Sequence, residues 1–178
     1  MIPTLFVGKK RAEVICWQFC NSSDIWMDYI PDICSYELFE AYQNIIDVFR
    51  QYYPNKTLPS ICLDDASLQL IKREQLYLSG DSMGLAWLCG LLCRIKEKDF
   101  PNNFFAWGAV KPIRRGGFAL FPTSNTRQKI FLAEKNCKSN IMLHQAERSY
   151  KYFSGETLRL PSDIDDVLKQ LEKITDAN

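Results

Sequence analysis

The 178-residue sequence has a single histidine and no Cys-x-x-Cys pair among its seven cysteines. The sequence therefore lacks the Cys-x-x-Cys pairs and the several histidines from which common zinc sites are built. The chain also lacks a Gly-x-x-x-x-Gly-Lys-Ser/Thr motif, which excludes ATP hydrolysis of the phosphate-loop type. No apolar run approaches the roughly 20 residues that a membrane-spanning helix needs. These absences predict a cytoplasmic protein without a cofactor, whose cysteines are small buried hydrophobic residues.

An excess of charge of one sign is also missing. The 22 lysines and arginines nearly balance the 21 aspartates and glutamates, which gives a net charge of +1. A balanced chain lacks the basic surplus with which proteins bind nucleic acids or anionic membranes, so neither is an expected partner. Apolar residues make up 47% of the sequence, enough for one well-packed core at this length. We predict one domain over residues 1–178.

Hydrophobic periodicity predicts an α+β fold. Short runs of β-branched and aromatic residues between turn residues predict strands over residues 12–19, 24–30, 67–78, 104–110, 118–121 and 140–143. Apolar residues three and four apart predict helices over residues 36–52, 85–96, 126–136 and 164–174. Ser35 is the expected N-cap of the first helix, and residues 114–117 are the expected hairpin turn. The second helix is apolar on nearly every face, which is typical of a central, buried helix.

A serine stands at the start of that apolar helix, in the sequence Gly80-Asp81-Ser82-Met83-Gly84. The glycines permit a tight turn that exposes the serine hydroxyl. Backbone amides at a helix start are suited to bind the oxyanion of a tetrahedral intermediate. Ser82 is therefore a candidate nucleophile, which needs a base to remove its proton.

Lys129 is the candidate base. A lysine accepts a proton only when it is neutral, and its ordinary pKa of about 10.4 keeps it charged at neutral pH. Burial among apolar side chains lowers that pKa by as much as several units, and Ile130, Phe131 and Leu132 follow Lys129 directly. The pair of Ser82 and Lys129 thus predicts a hydrolase with a serine–lysine dyad.

Both motifs resemble those of the proteolytic domain of Lon proteases. Residues 80–84 are similar to the Gly-Asp-Ser-Ala motif that opens a long apolar helix in that family. Residues 121–130 are similar to its Leu-Pro-Ile-Gly-Gly-Leu-Lys-Glu-Lys-Leu motif, and the equal distance from Pro122 places Lys129 on the family's catalytic lysine. In the order of its elements the resemblance extends over residues 12–174. It implies a single Lon-like domain with a mixed sheet and packed helices.

The resemblance implies a serine endopeptidase in which Ser82 is the nucleophile and Lys129 is the general base. Oxyanion-binding or supporting roles are expected at neighbouring positions of the two motifs, namely Gly80, Asp81, Met83, Thr123 and Ser124. Trp107 stands where the family has a threonine that helps to position the lysine. We expect Thr123 or Ser124 to supply the missing hydroxyl.

Other positions allow competing interpretations. Asp81 occurs at this place in the archaeal members of the family, yet its carboxylate would also pair with Lys129, hold it protonated and keep the site at rest. Ala109 replaces an acidic residue, and Ser124-Asn125 replace two glycines. His144 suggests a Ser-His-Asp triad with the serine and Asp81. The resemblance instead places His144 beyond a short strand, away from the serine.

Without a phosphate loop, the predicted peptidase acts independently of ATP on unfolded chains or on an exposed loop of a specific partner protein. The resemblance implies a hexamer, while a monomer or dimer is equally credible without an ATPase ring. A sensor or ATPase module, downstream or separate, is a further expected partner. The alternative interpretation is a non-catalytic Lon-like scaffold for oligomerisation or partner binding. The presence of both Ser82 and Lys129 favours the enzyme, because a scaffold does not need that pair.

Overall fold

The computed structural model describes residues 1–9, 11–21, 25–136, 138–144, 146–147, 151, 153–158 and 164–176. Their strands are β1 (Ile2–Val7), β2 (Ala12–Cys20), β3 (Ser60–Leu63), β4 (Phe104–Ala106), β5 (Ala109–Pro112), β6 (Phe118–Phe121), β7 (Asn140–Met142) and β8 (Glu156–Leu158). Their helices are α1 (Ile25–Tyr29), α2 (Tyr36–Tyr52), α3 (Asp65–Glu74), α4 (Gly84–Ile95), α5 (Thr126–Lys135) and α6 (Ile164–Asp176). None of these described helices has both the length and the apolar character that crossing a membrane requires.

The described strands form three small sheets. Strands β1, β2 and β3 are antiparallel, with Thr4 opposite Ile15 and Gln18 opposite Cys62. Strands β5 and β6 form the predicted hairpin. Strands β4, β7 and β8 are parallel, in that spatial order. The α+β class is confirmed, but within the described residues parallel and antiparallel pairs lie in separate sheets, not in the one mixed sheet that we expected.

All four predicted helices are present, with ends within two residues of the predicted ones. Ser35 caps α2 as predicted, since its hydroxyl accepts a hydrogen bond of 3.2 Å from the Leu38 N–H. Every residue of α4 from Gly84 to Cys93 is buried. The apolar sequence of this helix therefore indicated its central position correctly.

The predicted strand over residues 67–78 is wrong, because most of it belongs to helix α3. The carboxylate of Asp64 caps this helix and accepts a hydrogen bond of 2.8 Å from the Ser67 N–H. Gln75 ends it in the left-handed conformation, with φ at 50°. The cap supplies a partner for an amide that would otherwise be left unpaired at the helix start.

The predicted strand over residues 24–30 is also wrong. Residues 25–29 form helix α1, and residue 24 lies outside the described residues. Trp26 and Tyr29, three residues apart, are both buried on one side of α1. The antiparallel sheet is completed instead by β1 and β3, which the sequence analysis did not predict.

The predicted strand over residues 104–110 is divided between two sheets. Trp107 and Gly108 lead the chain from β4 in the parallel sheet to β5 in the hairpin. At this break the Gly108 N–H donates a hydrogen bond of 2.9 Å to the Ser82 carbonyl, and the Gly108 carbonyl accepts one of 3.0 Å from the Leu85 N–H. The break between the sheets therefore holds the start of α4 in place.

Two hydrophobic clusters fill the interior. The main core includes Trp17, Trp26 and Trp87, with ring centroids 5.5 Å apart for Trp17 and Trp26 and 5.0 Å apart for Trp17 and Trp87. The second, the α5 cluster, is smaller and consists of Leu5, Phe105, Trp107, Ile130, Leu132, Ala133, Ile141, Leu143 and Phe153. Burying one large apolar side chain contributes about 1.5–3 kcal/mol, so both clusters stabilise the elements that they join.

Candidate active site

A pocket of about 350 Å³ opens between the start of α4, the turn before α5 and strand β1. Leu5, Phe6 and Val7 of β1 and Glu37 of α2 form part of its wall. All seven predicted site residues line this pocket: Ser82, Lys129, Gly80, Asp81, Met83, Thr123 and Ser124. The fold thus brings the candidate nucleophile and the candidate base into one cleft.

The serine turn depends on backbone geometry. Gly80 has φ at +85°, a left-handed conformation that residues with a Cβ rarely adopt. Its N–H donates a hydrogen bond of 3.1 Å to the carboxylate of Glu37. Ser82 itself is half-buried, and its carbonyl is bonded to the Gly108 N–H. The turn is therefore attached to α2 on one side and to the break between the two sheets on the other.

Some amides at this helix start are already in use. The Gly84 N–H donates to the Asp81 carbonyl at 3.2 Å, and the Leu85 N–H donates to the Gly108 carbonyl. Within the described part of the chain, the N–H groups of Ser82 and Met83 have no hydrogen-bond partner. These two amides are the candidate donors to an oxyanion.

Lys129 is buried in the first turns of α5, with 3% of its surface exposed. Its Nζ donates a hydrogen bond of 3.0 Å to Thr123 Oγ1. The Lys129 N–H bonds to the carbonyl of Asn125, which adopts a left-handed conformation with φ at 62°. Asparagine tolerates this conformation better than most residues, which explains how the chain turns here without the glycine pair of the similar motif.

Burial lowers the pKa of Lys129 to about 8, and the carboxylates of Glu147 and then Asp81 oppose this effect by raising it. A large fraction of the lysine is therefore neutral at slightly alkaline pH, as a general base requires. Asp81 raises the pKa by less than burial lowers it, and the Nζ atom bonds to Thr123. The net shift of the Lys129 pKa is therefore downward, which is opposite to the shift that the resting pair of Asp81 and Lys129 predicts.

The structure distinguishes between the two hydroxyls that we considered for support of the lysine. Thr123 provides the hydroxyl at Lys129, while the Ser124 hydroxyl accepts a hydrogen bond of 3.4 Å from the Asn125 side chain. Trp107, at the position of the expected threonine, is buried in the α5 cluster. The hydroxyl that contacts the Lys129 amine thus belongs to the turn before α5.

The sequence analysis missed Glu147, a buried glutamate beyond β7. Its carboxylate accepts a hydrogen bond of 3.0 Å from the Thr123 N–H and a second bond from the Thr126 hydroxyl. Burial raises the pKa of this carboxyl, whereas the Thr123 amide and the charge of Lys129 lower it. No motif or spacing singles out Glu147, because its contacts depend on the tertiary fold.

His144 is not among the described residues that line this pocket. Its Nδ1 accepts a hydrogen bond of 3.1 Å from the Ala146 N–H, so the geometry gives no support to a triad with Ser82. Among the described residues, no three histidine, cysteine, aspartate or glutamate side chains are grouped as a metal site needs.

No family model matches the chain, and no curated protein matches it in sequence.

Proposed function

We propose that this protein is an ATP-independent, Lon-like serine endopeptidase, with Ser82 as nucleophile and Lys129 as general base. The observation that carries the proposal is a buried lysine, bonded to a hydroxyl, in the same pocket as a serine at a helix start. Burying a charged lysine lowers the free energy of unfolding unless other interactions compensate for the lost hydration. A buried lysine with a lowered pKa that lines the same pocket as a candidate nucleophile is typical of a functional site.

In the proposed mechanism, neutral Lys129 removes the proton of the Ser82 hydroxyl as its oxygen attacks the peptide carbonyl. The amides of Ser82 and Met83 bind the oxyanion. The Lys129 ammonium then gives its proton to the leaving amine, which leaves an acyl ester on Ser82. Lys129, neutral again, activates a water molecule that hydrolyses this ester and frees the serine.

Thr123 has a positioning role in this scheme. Its hydroxyl lies 3.0 Å from the lysine Nζ, which limits the directions in which the flexible side chain can point. A general base must lie within hydrogen-bond reach of the proton that it removes. Holding the Lys129 amine in one direction therefore favours proton transfer.

The proposed substrate is an extended polypeptide, either an unfolded chain or an exposed loop of a partner protein. Three successive residues of β1, Leu5, Phe6 and Val7, line the pocket that contains Ser82. A folded surface does not place a peptide bond inside such a cleft, whereas an extended segment does. Oligomerisation and a separate ATPase or sensor module belong to the same proposal.

The test is cleavage of unfolded casein by the wild type and by the variants Ser82→Ala and Lys129→Ala, between about pH 6 and about pH 10. Lys135→Ala, on the same helix as Lys129, is the matched control. We expect both site variants to lose about 10³-fold or more in kcat/KM. The control should retain activity.

A serine-reactive fluorophosphonate separates the two interpretations if casein is not cleaved. Labelling of the wild type at Ser82, lost in Lys129→Ala, would indicate an activated nucleophile with a dedicated substrate. An unlabelled Ser82 together with no cleavage would contradict the peptidase and favour the non-catalytic scaffold.

A further inference from the structure

We propose that Glu147 is a positioning residue for Lys129, an inference that rests on the proposed function and adds a fourth side chain to its machinery. Glu147 does not line the part of the pocket that holds Ser82, so it acts on the reaction through the lysine. Its carboxylate does so in two ways, by holding the turn that carries Thr123 and by placing a negative charge near the lysine amine.

The contacts support the first effect. One carboxylate oxygen of Glu147 accepts the Thr123 N–H at 3.0 Å, and the other accepts the hydroxyl of Thr126, the first residue of α5. The carboxylate therefore joins the turn to the start of the helix that carries Lys129. Because the Thr123 hydroxyl bonds to the lysine Nζ, the same contacts fix the position of that hydroxyl. A negative charge at a helix N-terminus is also favourable.

The surrounding charges support the second effect. The charged groups that act on Lys129 are Glu147, beyond β7, and Asp81, before α4, and Glu147 is the stronger of the two. His144 acts in turn on Glu147. Burial alone weakens a lysine as a base, since a lower pKa means a smaller affinity for the proton. The charge of Glu147 limits this loss of proton affinity.

A purely structural role for Glu147 makes a different prediction. If the carboxylate only anchored the turn, its replacement by an amide of the same shape would leave the proton affinity of Lys129 unchanged. The positioning role requires that affinity to fall, because the ammonium loses a favourable charge when Glu147 becomes neutral. The proton affinity of Lys129 is thus the quantity to measure.

The experiment is acylation of Lys129 by a trace amount of acetic anhydride across a pH series, followed by mass spectrometry of the peptide that contains it. Wild type, Glu147→Gln, Glu147→Asp and the control Glu134→Gln, an exposed glutamate on α5, are compared. We expect the midpoint for Glu147→Gln to fall by about 0.5 to 1 pH unit. Glu147→Asp should lie between Glu147→Gln and wild type, and Glu134→Gln should match wild type.

An unchanged midpoint in Glu147→Gln overturns the inference. If that variant does not fold, Glu147→Asp decides, because its shorter side chain moves the charge away from the lysine. A midpoint below that of wild type supports the inference, and an equal midpoint overturns it. The labelling of Lys129 requires no turnover, so absence of casein cleavage together with an unreactive Ser82 would contradict the proposed function without affecting this result. In an active enzyme, the pH profile of kcat/KM should move with the labelling midpoint.

Discussion

The two proposed catalytic side chains are held by different parts of the interior. Ser82 precedes α4, whose buried residues belong to the main core with its three tryptophans. Lys129 lies on α5, which packs on the smaller α5 cluster. The nucleophile is thus fixed by a large apolar core and by backbone hydrogen bonds. The base is fixed by a few side-chain hydrogen bonds in a smaller apolar setting.

This difference matches what each group needs. A nucleophile must be placed accurately, and a rigid core supplies that placement. A lysine base needs a tuned proton affinity, which depends on the balance of burial against the charges of Glu147 and Asp81. Changes in the main core should therefore alter stability, while changes in the α5 cluster should also alter the pKa of Lys129. Four predictions test this division.

The largest effect is expected for Trp87→Ala in the main core. Trp87 is fully buried and packs edge-on against Trp17, Trp26 and Tyr42. Its truncation should lower the free energy of unfolding by about 3–5 kcal/mol, as measured by urea denaturation. Phe131→Ala, at a side chain that is 68% exposed, should change it by less than about 0.5 kcal/mol. An equal decrease in the free energy of unfolding for the two variants would contradict the expectation that the main core stabilises the fold.

A somewhat smaller loss is expected for Ile130→Ala in the α5 cluster, about 2–4 kcal/mol. Because Ile130 follows Lys129 in α5 and belongs to the apolar cluster on which this helix packs, its truncation should also loosen the burial of the ammonium and raise the pKa of the lysine. The pH midpoint of Lys129 acylation measures this change. Leu91→Ala, in the main core, should cost similar stability without moving the midpoint. If the pH midpoint of Lys129 acylation shifted in both variants, or in neither, the two clusters would not differ in their effect on the lysine.

Lys129→Met should stabilise the protein at neutral pH by about 1–3 kcal/mol while abolishing activity. The lysine pKa is about 8 in the folded protein and about 10.4 in the unfolded chain. The fold therefore bears the full cost of the buried ammonium below about pH 8, and this cost disappears as the pH rises through about 10.4. Urea denaturation at several pH values measures the difference from wild type. The exposed-site control Lys135→Met should show no such pH dependence, and a destabilised Lys129→Met would contradict the prediction.

The smallest effect is expected for Thr123→Val, which removes the hydroxyl at the lysine but retains the side-chain shape. Loss of this hydrogen bond should lower kcat/KM by about 10-fold, with little change in the melting temperature. Ser124→Ala, at the neighbouring hydroxyl, should leave kcat/KM near the wild-type value. Steady-state kinetics on a fluorogenic peptide compares them. If Ser124→Ala caused the greater loss, the assignment of the hydroxyl would be wrong.

Much of the site was predictable from local sequence. The apolar α4 and the glycine-flanked serine turn leave little choice about where Ser82 lies. The apolar residues after Lys129 correctly indicated its burial. In each case the physical signal, periodicity or turn chemistry, lies within a few residues of the feature.

One error had a local cause, and two arose where distant parts of the chain decide the structure. Residues 67–78 have enough apolar character to suggest a strand, and the sequence analysis did not predict the helix that Asp64 caps. The break at Trp107 is set by pairing with other strands. Glu147 is recognisable only by its contacts with the turn at Thr123, which exist in three dimensions alone.

The two backbone hydrogen bonds of Gly108 make the position of Ser82 independent of the side chain at residue 107. They hold the start of α4 through the main chain, so a tryptophan at position 107 does not displace the serine. The indole of Trp107 instead packs in the apolar interior. The hydroxyl that contacts the Lys129 amine belongs to Thr123, in the turn before α5. The main-chain contacts at residue 108 thus separate the position of the candidate nucleophile from the packing of the neighbouring side chain.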